Sequence, residues 1–124
     1  IIGNMYRPGD GIKPHVDLAR FEDGIGIISL GSSCVMQFRP ATAQDRLASG
    51  FTSTESTIPP SNSTTNVAES SDLVNVFLEP GDVLAMSKAA RYHWTHAIPE
   101  TEMDVFDQVA YPRGLRISLT LRRV

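Results

Sequence analysis

Eight consecutive residues near the end of this chain alternate in polarity without a break. Leu115, Ile117, Leu119 and Leu121 fall on one parity, and Arg116, Ser118, Thr120 and Arg122 on the other. Side chains of a β-strand project to opposite faces at a period of two, so this run is a strand with one apolar and one polar face. Shorter strand-like runs, mostly apolar or β-branched, recur at residues 1–6, 12–18, 25–30, 34–39, 73–78 and 83–86. Turn formers separate them: Pro8-Gly9-Asp10-Gly11, Gly31-Ser32-Ser33 and Glu79-Pro80-Gly81-Asp82. The runs at 25–30 and 34–39, joined by so short a turn, read as a hairpin. Many short strands and no convincing helix predict an all-β sandwich or barrel. A double-sheet jelly roll with at most minor helix is the expected member, because its two sheets leave room for a site between them.

Residues 40–72 break the pattern. They are rich in Ser, Thr, Asn and Pro and have few aliphatic side chains. Such a stretch buries too little to offset its ordering entropy, so a flexible insertion is expected here, within a single domain spanning 1–124. Residues 100–107 read as an acidic segment. The net charge of -3 and pI of about 5.5 provide no overall basic field for a phosphate backbone. The single cysteine, Cys34, excludes an internal disulfide and fits a reducing compartment, with cytoplasm or nucleus as the expected location. No apolar run is long enough to span a bilayer, so no membrane partner is expected. The first residue is Ile, as expected of a fragment lacking an N-terminal part.

The chemistry-bearing residues begin at His15-Val16-Asp17. On a strand, positions i and i+2 share a face, which sets an imidazole beside a carboxylate. This is two thirds of a two-His, one-carboxylate site, a geometry that leaves coordination positions open on non-haem Fe(II). The plainer reading is a histidine hydrogen-bonded to a neighbouring acid. A third ligand must come from His93 or His96, the other two histidines, and spacing alone does not choose between them. Arg116 and Arg122 share the polar face of the last strand, and a guanidinium forks onto carboxylate as a dianionic co-substrate requires. Six residues of straight strand span about 20 Å, so the two arginines serve one small molecule only if they converge. Their plain alternative is a charged solvent face on an edge strand.

In order along the chain stand Asn4 and Tyr6, Pro8-Gly9, His15 and Asp17, Ser29-Leu30-Gly31, Gly81-Asp82, Arg91, His96, and Arg116 with Arg122. This series resembles the catalytic core of the AlkB-like Fe(II)/2-oxoglutarate dioxygenases, over nearly the whole chain except the insertion. Val16 between the ligands and Trp94-Thr95 before the third histidine are similar to eukaryotic members. The resemblance implies a double-stranded β-helix core in which His15, Asp17 and His96 bind Fe(II). It implies that Asn4, Tyr6 and Arg116 hold 2-oxoglutarate, with Arg122 near the metal-chelating end or supporting the ligands. Arg91, Tyr92 and Trp94 become candidates for supporting the ligands or touching substrate.

The same resemblance implies oxidative decarboxylation of 2-oxoglutarate by O2, giving succinate and CO2 and hydroxylating a substrate C–H bond. At an N-methyl group the product loses formaldehyde, which is demethylation. A methylated nucleic-acid base is the expected substrate, flipped or single-stranded. The upstream segment that helps the family grip a base is scarcely represented here. The acidic charge therefore keeps a second expectation open, the same chemistry on a protein or small molecule. A non-catalytic β-sandwich binding module is the third. Oligomeric state is not indicated.

Overall fold

In the computed structural model, which describes residues 1–52 and 72–124, the alternating run becomes strand β10 (Arg116–Leu121). It lies between β1 (Ile2–Tyr6) and β3 (Ile25–Gly31), and β6 (Val83–Met86) completes a sheet ordered β1-β10-β3-β6. The second sheet is ordered β2-β7-β4-β5, from β2 (Ile12–His15), β7 (Trp94–Ile98), β4 (Cys34–Pro40) and β5 (Val74–Leu78). All pairings among the described residues are antiparallel. Two four-stranded sheets enclosing one interior form the all-β, jelly-roll-like core predicted from the strand and turn spacing.

The interior is apolar at one end and polar at the other. Ile25 and Ile27 of β3 meet Cys34, Met36 and Phe38 of β4 in the main core. Further along the same cavity face, β10 turns Arg116, Ser118 and Thr120 inward, each buried. Its apolar parity points out: Ile117 and Leu121 are exposed, and Ile117 pairs in register with Met5 of β1 and Leu30 of β3, also exposed. An antiparallel sheet with one solvated face ordinarily keeps its polar side outward. Here the order is reversed, which a packed hydrophobic core alone does not explain. β10 is also a central strand, so Arg116 does not guard an edge, and Arg122 lies one residue past the strand end.

The structure corrects the expected hairpin. β3 and β4 lie in different sheets, and the link through Ser32 and Ser33 crosses between them. Both edges of β3 are already taken, by β10 and β6. The alternate residues of β3 and β4 face each other across the core, which produces the same sequence pattern as pairing side by side. Gly31 makes the crossing tight: its φ is +81°, and a Cβ there would stand 2.4 Å from the Leu115 carbonyl oxygen.

Two further segments are more ordered than composition suggests. Within the expected insertion, residues 43–48 form helix α1 (Ala43–Ala48), started by a reciprocal cap. Thr42 Oγ1 accepts from the Asp45 amide at 3.1 Å, and the Asp45 carboxylate accepts from the Thr42 amide at 2.8 Å. Ala41 and Phe51 on either side are buried against Val16. The remainder of that insertion, 53–71, lies outside the described residues. The acidic segment becomes a hairpin of β8 (Met103–Phe106) and β9 (Val109–Pro112). Its turn residues Asp107 and Gln108 have φ of +50° and +66°, the signature of a two-residue type I′ turn. Arg113 grips the buried Asp104 with two hydrogen bonds, at 2.7 and 2.9 Å. Gln108→Gly is expected to stabilise the fold by about 0.5–1 kcal/mol, because glycine carries no Cβ penalty at positive φ. Thermal denaturation checks this as a rise in Tm of a few degrees.

Candidate metal centre and co-substrate pocket

β2 ends at His15, two residues short of Asp17, so strand geometry alone does not place the carboxylate beside the imidazole. β2 is an edge strand, which tolerates Pro14 and its missing donor, and its pairing with β7 is irregular between Ile12 and His15. That irregularity leaves His15 directly opposite His96 of β7, with ring centroids 4.2 Å apart. Past the strand end Asp17 brings its carboxylate up to both rings. Asp17 Oδ1 lies 3.3 Å from His15 Nε2 and 3.4 Å from His96 Nε2. One ligand atom from each of the three residues falls within 4.8 Å of the others.

The surroundings select the atoms that face the centre. The Lys13 carbonyl can only accept, so His15 Nδ1, 2.9 Å away, carries the proton and Nε2 keeps its lone pair. Asp17 is 4 % exposed, and its Oδ2 accepts from Arg122 Nε at 2.7 Å. Oδ1 is buried without a hydrogen-bond partner among the described residues. A buried, bare carboxylate oxygen between two imidazole nitrogens is costly unless a cation completes it. The donor set of two imidazoles and one carboxylate fits Fe(II) with open positions.

Ionisation follows the same layout. Burial opposes the Asp17 charge, but the adjoining His15 and His96 rings and the Arg122 guanidinium outweigh it and hold the carboxyl far below its usual range. Burial lowers His96 more than Asp17 raises it, so His96 is neutral near pH 7. His15 is also pushed down by burial, yet the adjoining Asp17 carboxylate and the bond to the Lys13 carbonyl leave it raised above 6.5. A cation must then displace a proton from His15 in mildly acidic solution. Mn(II) affinity is therefore expected to fall by about tenfold per pH unit below the raised His15 value and to level off above it. Titration calorimetry between pH 5.5 and 8.5 checks this.

A narrow cavity of about 30 Å³ runs from the two histidines toward Arg116, with Asn4, Tyr6 and Thr120 on its wall. Arg116 is 3 % exposed; its Nε donates to Ser29 Oγ at 3.0 Å, and its guanidinium lies 5.3 Å from the Tyr6 ring centroid. Both Nη atoms are buried without a partner among the described residues. An unpaired buried guanidinium fork matches a carboxylate. Arg116 and Arg122 both border this cavity: Arg116 brings the unpartnered nitrogens, and Arg122 Nε is bonded to Asp17 Oδ2.

A second cavity, of about 340 Å³, is bordered by His15, Asp17 and Arg122 together with Leu18, Phe21 and Asp45. His93 is outside the three-residue cluster and lies against Arg46. Tyr92 packs edge-on against Phe51 in the smaller core. Trp94 packs against the main core. Arg91 is buried and bonds to backbone carbonyls behind Asp17. Sequence reading passed over Ser29, Ser118 and Thr120 as individual site residues. For Ser118 and Thr120 the signal was the polar parity of β10, which the fold buries; Ser29 shares its parity with Ile25 and Ile27 and carried no such signal.

Residues 1–122 match the 2OG-Fe(II) oxygenase superfamily. An Alkylated DNA repair protein ALKBH8 homolog of Arabidopsis thaliana is 35% identical over 127 residues, covering 98% of this chain and 33% of that protein. An uncharacterized protein of Acanthamoeba polyphaga mimivirus is 30% identical over 125 residues, covering 100% of this chain and 47% of its own length. A Xenopus tropicalis tRNA (carboxymethyluridine(34)-5-O)-methyltransferase, alkbh8, is 35% identical over 103 residues, covering 82% of this chain and 12% of the relative. The chain thus spans less than half the length of each of these relatives.

Proposed function

The chain belongs to the 2OG-Fe(II) oxygenase superfamily as an AlkB-like dioxygenase that uses Fe(II), 2-oxoglutarate and O2, and on that premise we propose that it demethylates or hydroxylates a methylated nucleic-acid base. The observation that carries the site assignment is the bare Asp17 Oδ1 between His15 Nε2 and His96 Nε2. These three residues hold the iron. Arg116, with its two unpartnered nitrogens, takes the distal carboxylate of 2-oxoglutarate, with Asn4 and Tyr6 beside it. Iron with these co-substrates supplies the oxidation: 2-oxoglutarate and O2 become succinate and CO2, and one oxygen atom is inserted into a substrate C–H bond.

The side chains orient and exclude. The Lys13 carbonyl keeps the His15 lone pair on Nε2. Arg122 neutralises one Asp17 oxygen and leaves the other for the cation. Leu18 and Phe21 line the outer cavity, where a base presents its methyl group beside His15 and water is displaced. The nucleic-acid reading draws on the relatives, one named for alkylated DNA repair and one for a tRNA uridine modification. With a net charge of -3 the chain offers no overall basic field of its own, so the reading relies on base contacts in the outer cavity.

The test is succinate and formaldehyde release from Fe(II), 2-oxoglutarate and O2 with methylated single-stranded RNA, methylated single-stranded DNA, tRNA, or histone peptides. Stimulation by a methylated nucleic acid, with formaldehyde equal to succinate, is the expected result. Stimulation by peptide alone overturns the substrate class and leaves the oxygenase chemistry intact.

A further inference from the structure

Asp17 stands just beyond β2, in a stretch with no strand ladder to fix its backbone. The stretch is instead tied down from other parts of the fold: Ser49 Oγ donates to the Val16 carbonyl, the Ala19 amide donates to the Ser49 carbonyl, and one arginine side chain takes most of the carbonyls that follow. Arg91, in the short helix α2 (Ala89–Tyr92), is 2 % exposed. Its Nη1 donates to the Asp17 carbonyl at 3.1 Å, and its Nη2 donates to the Leu18 and Phe21 carbonyls, both at 2.9 Å. Its Nε makes a longer contact of 3.5 Å to the Glu22 carbonyl. A planar guanidinium with donors on two edges suits carbonyls arrayed along a turn; a lysine ammonium does not reproduce the fork.

The placement of this clamp ties the two halves of the metal site together. Arg91 lies five residues before His96, at the entry to β7, and its side chain reaches the residue that supplies the carboxylate. The same turn carries Phe21, which lies under the Arg122 guanidinium at 5.1 Å, and Arg122 in turn grips Asp17 Oδ2. A shift of the turn therefore moves the carboxylate, its arginine partner and the wall of the outer cavity together.

We propose that Arg91 is a positioning residue for the metal centre: it never touches the cation, but its hold on the 17–22 carbonyls sets where Asp17 Oδ1 meets His15 and His96. The inference rests on the assignment of Asp17 as a ligand. Neighbours that orient metal ligands ordinarily contribute about 10–100-fold in affinity. Arg91 acts at one remove through the backbone, so its loss belongs in the same range.

The experiment measures Mn(II) affinity and the electron paramagnetic resonance spectrum of bound Mn(II), with no co-substrate, on wild type, Arg91→Lys and Arg91→Gln. All are held well below their melting temperatures, with circular dichroism confirming folded protein. The expected result is folded variants whose Mn(II) affinity is about 10–100-fold weaker, with a spectrum showing altered ligand symmetry. Folded variants with wild-type affinity and spectrum overturn the inference and leave Arg91 a structural clamp. Failure of both variants to fold at 10 °C also overturns it, since the residue is then required for the fold itself. Failure of wild type to bind Mn(II), or binding unaffected by Asp17→Ala, overturns the metal-site assignment instead.

Discussion

His96→Ala is expected to weaken Fe(II) and Mn(II) binding by more than about 100-fold, because losing a ligand must cost more than losing one of the partners that orient it. His93→Ala, three residues earlier, is expected to leave metal binding unchanged. The two histidines look alike in sequence. In the structure His96 stands opposite His15 across the β2–β7 pairing, within 3.4 Å of Asp17 Oδ1, while His93 lies near Arg46 and outside the cluster. Equilibrium titration of Mn(II) into the two variants measures the difference. With 2-oxoglutarate added under anaerobic Fe(II), the weak visible band of an iron–keto-acid chelate should vanish in His96→Ala and persist in His93→Ala. Loss of metal binding in His93→Ala with retention in His96→Ala would reverse the ligand assignment.

Arg116→Met is expected to move stability and function in opposite directions. Arg116 is almost wholly buried, and only its Nε has a partner among the described residues. Replacing a buried charge that is poorly paired with an apolar side chain of similar length commonly stabilises a fold by about 1–4 kcal/mol. Ser29 Oγ loses its donor in the exchange, which offsets about 1 kcal/mol of that gain. The protein without co-substrate should therefore melt several degrees higher. Binding of 2-oxoglutarate should fall by at least about 100-fold, the scale of a lost charge-assisted fork of about 3 kcal/mol. Differential scanning calorimetry with and without 2-oxoglutarate reads both effects. Wild type should gain Tm with the ligand and Arg116→Met should not. A variant that melts lower yet binds the dicarboxylate normally would show Arg116 to be a framework residue.

Much of this was legible in the linear chain because it depends on local geometry. A period of two identified the strands, glycine and proline marked the turns, and ordered spacing picked out His15, Asp17, Arg116 and Arg122 as chemistry-bearing. What local reading handled worst was partner choice. Residues 25–30 and 34–39 have the same alternation whether they pair with each other or face each other across a core. The hairpin expectation therefore failed, with β3 occupied on both edges by β10 and β6. Residues 100–107 looked merely acidic because Asp107 and Gln108 lack the glycine that usually announces a tight hairpin. Residues 41–52 looked like the start of a loop because one six-residue helix and one buried Phe51 carry little periodic signal.

By itself the sequence determined which residues share a face: in β10, Arg116, Ser118 and Thr120 against Ile117, Leu119 and Leu121. Only the tertiary structure decided that the polar face is the inner one and that Met5, Leu30 and Ile117 look outward. The resemblance already selected His96 over His93; the structure sets His96 opposite His15 and decided that Asp17 reaches them from beyond the end of its strand, held by Arg91 and Arg122. The physical reason is one of range. Side-chain parity is fixed by the dihedral angles of neighbouring residues, whereas register, sheet membership and the inward face depend on contacts between residues as far apart as Asp17 and Arg122.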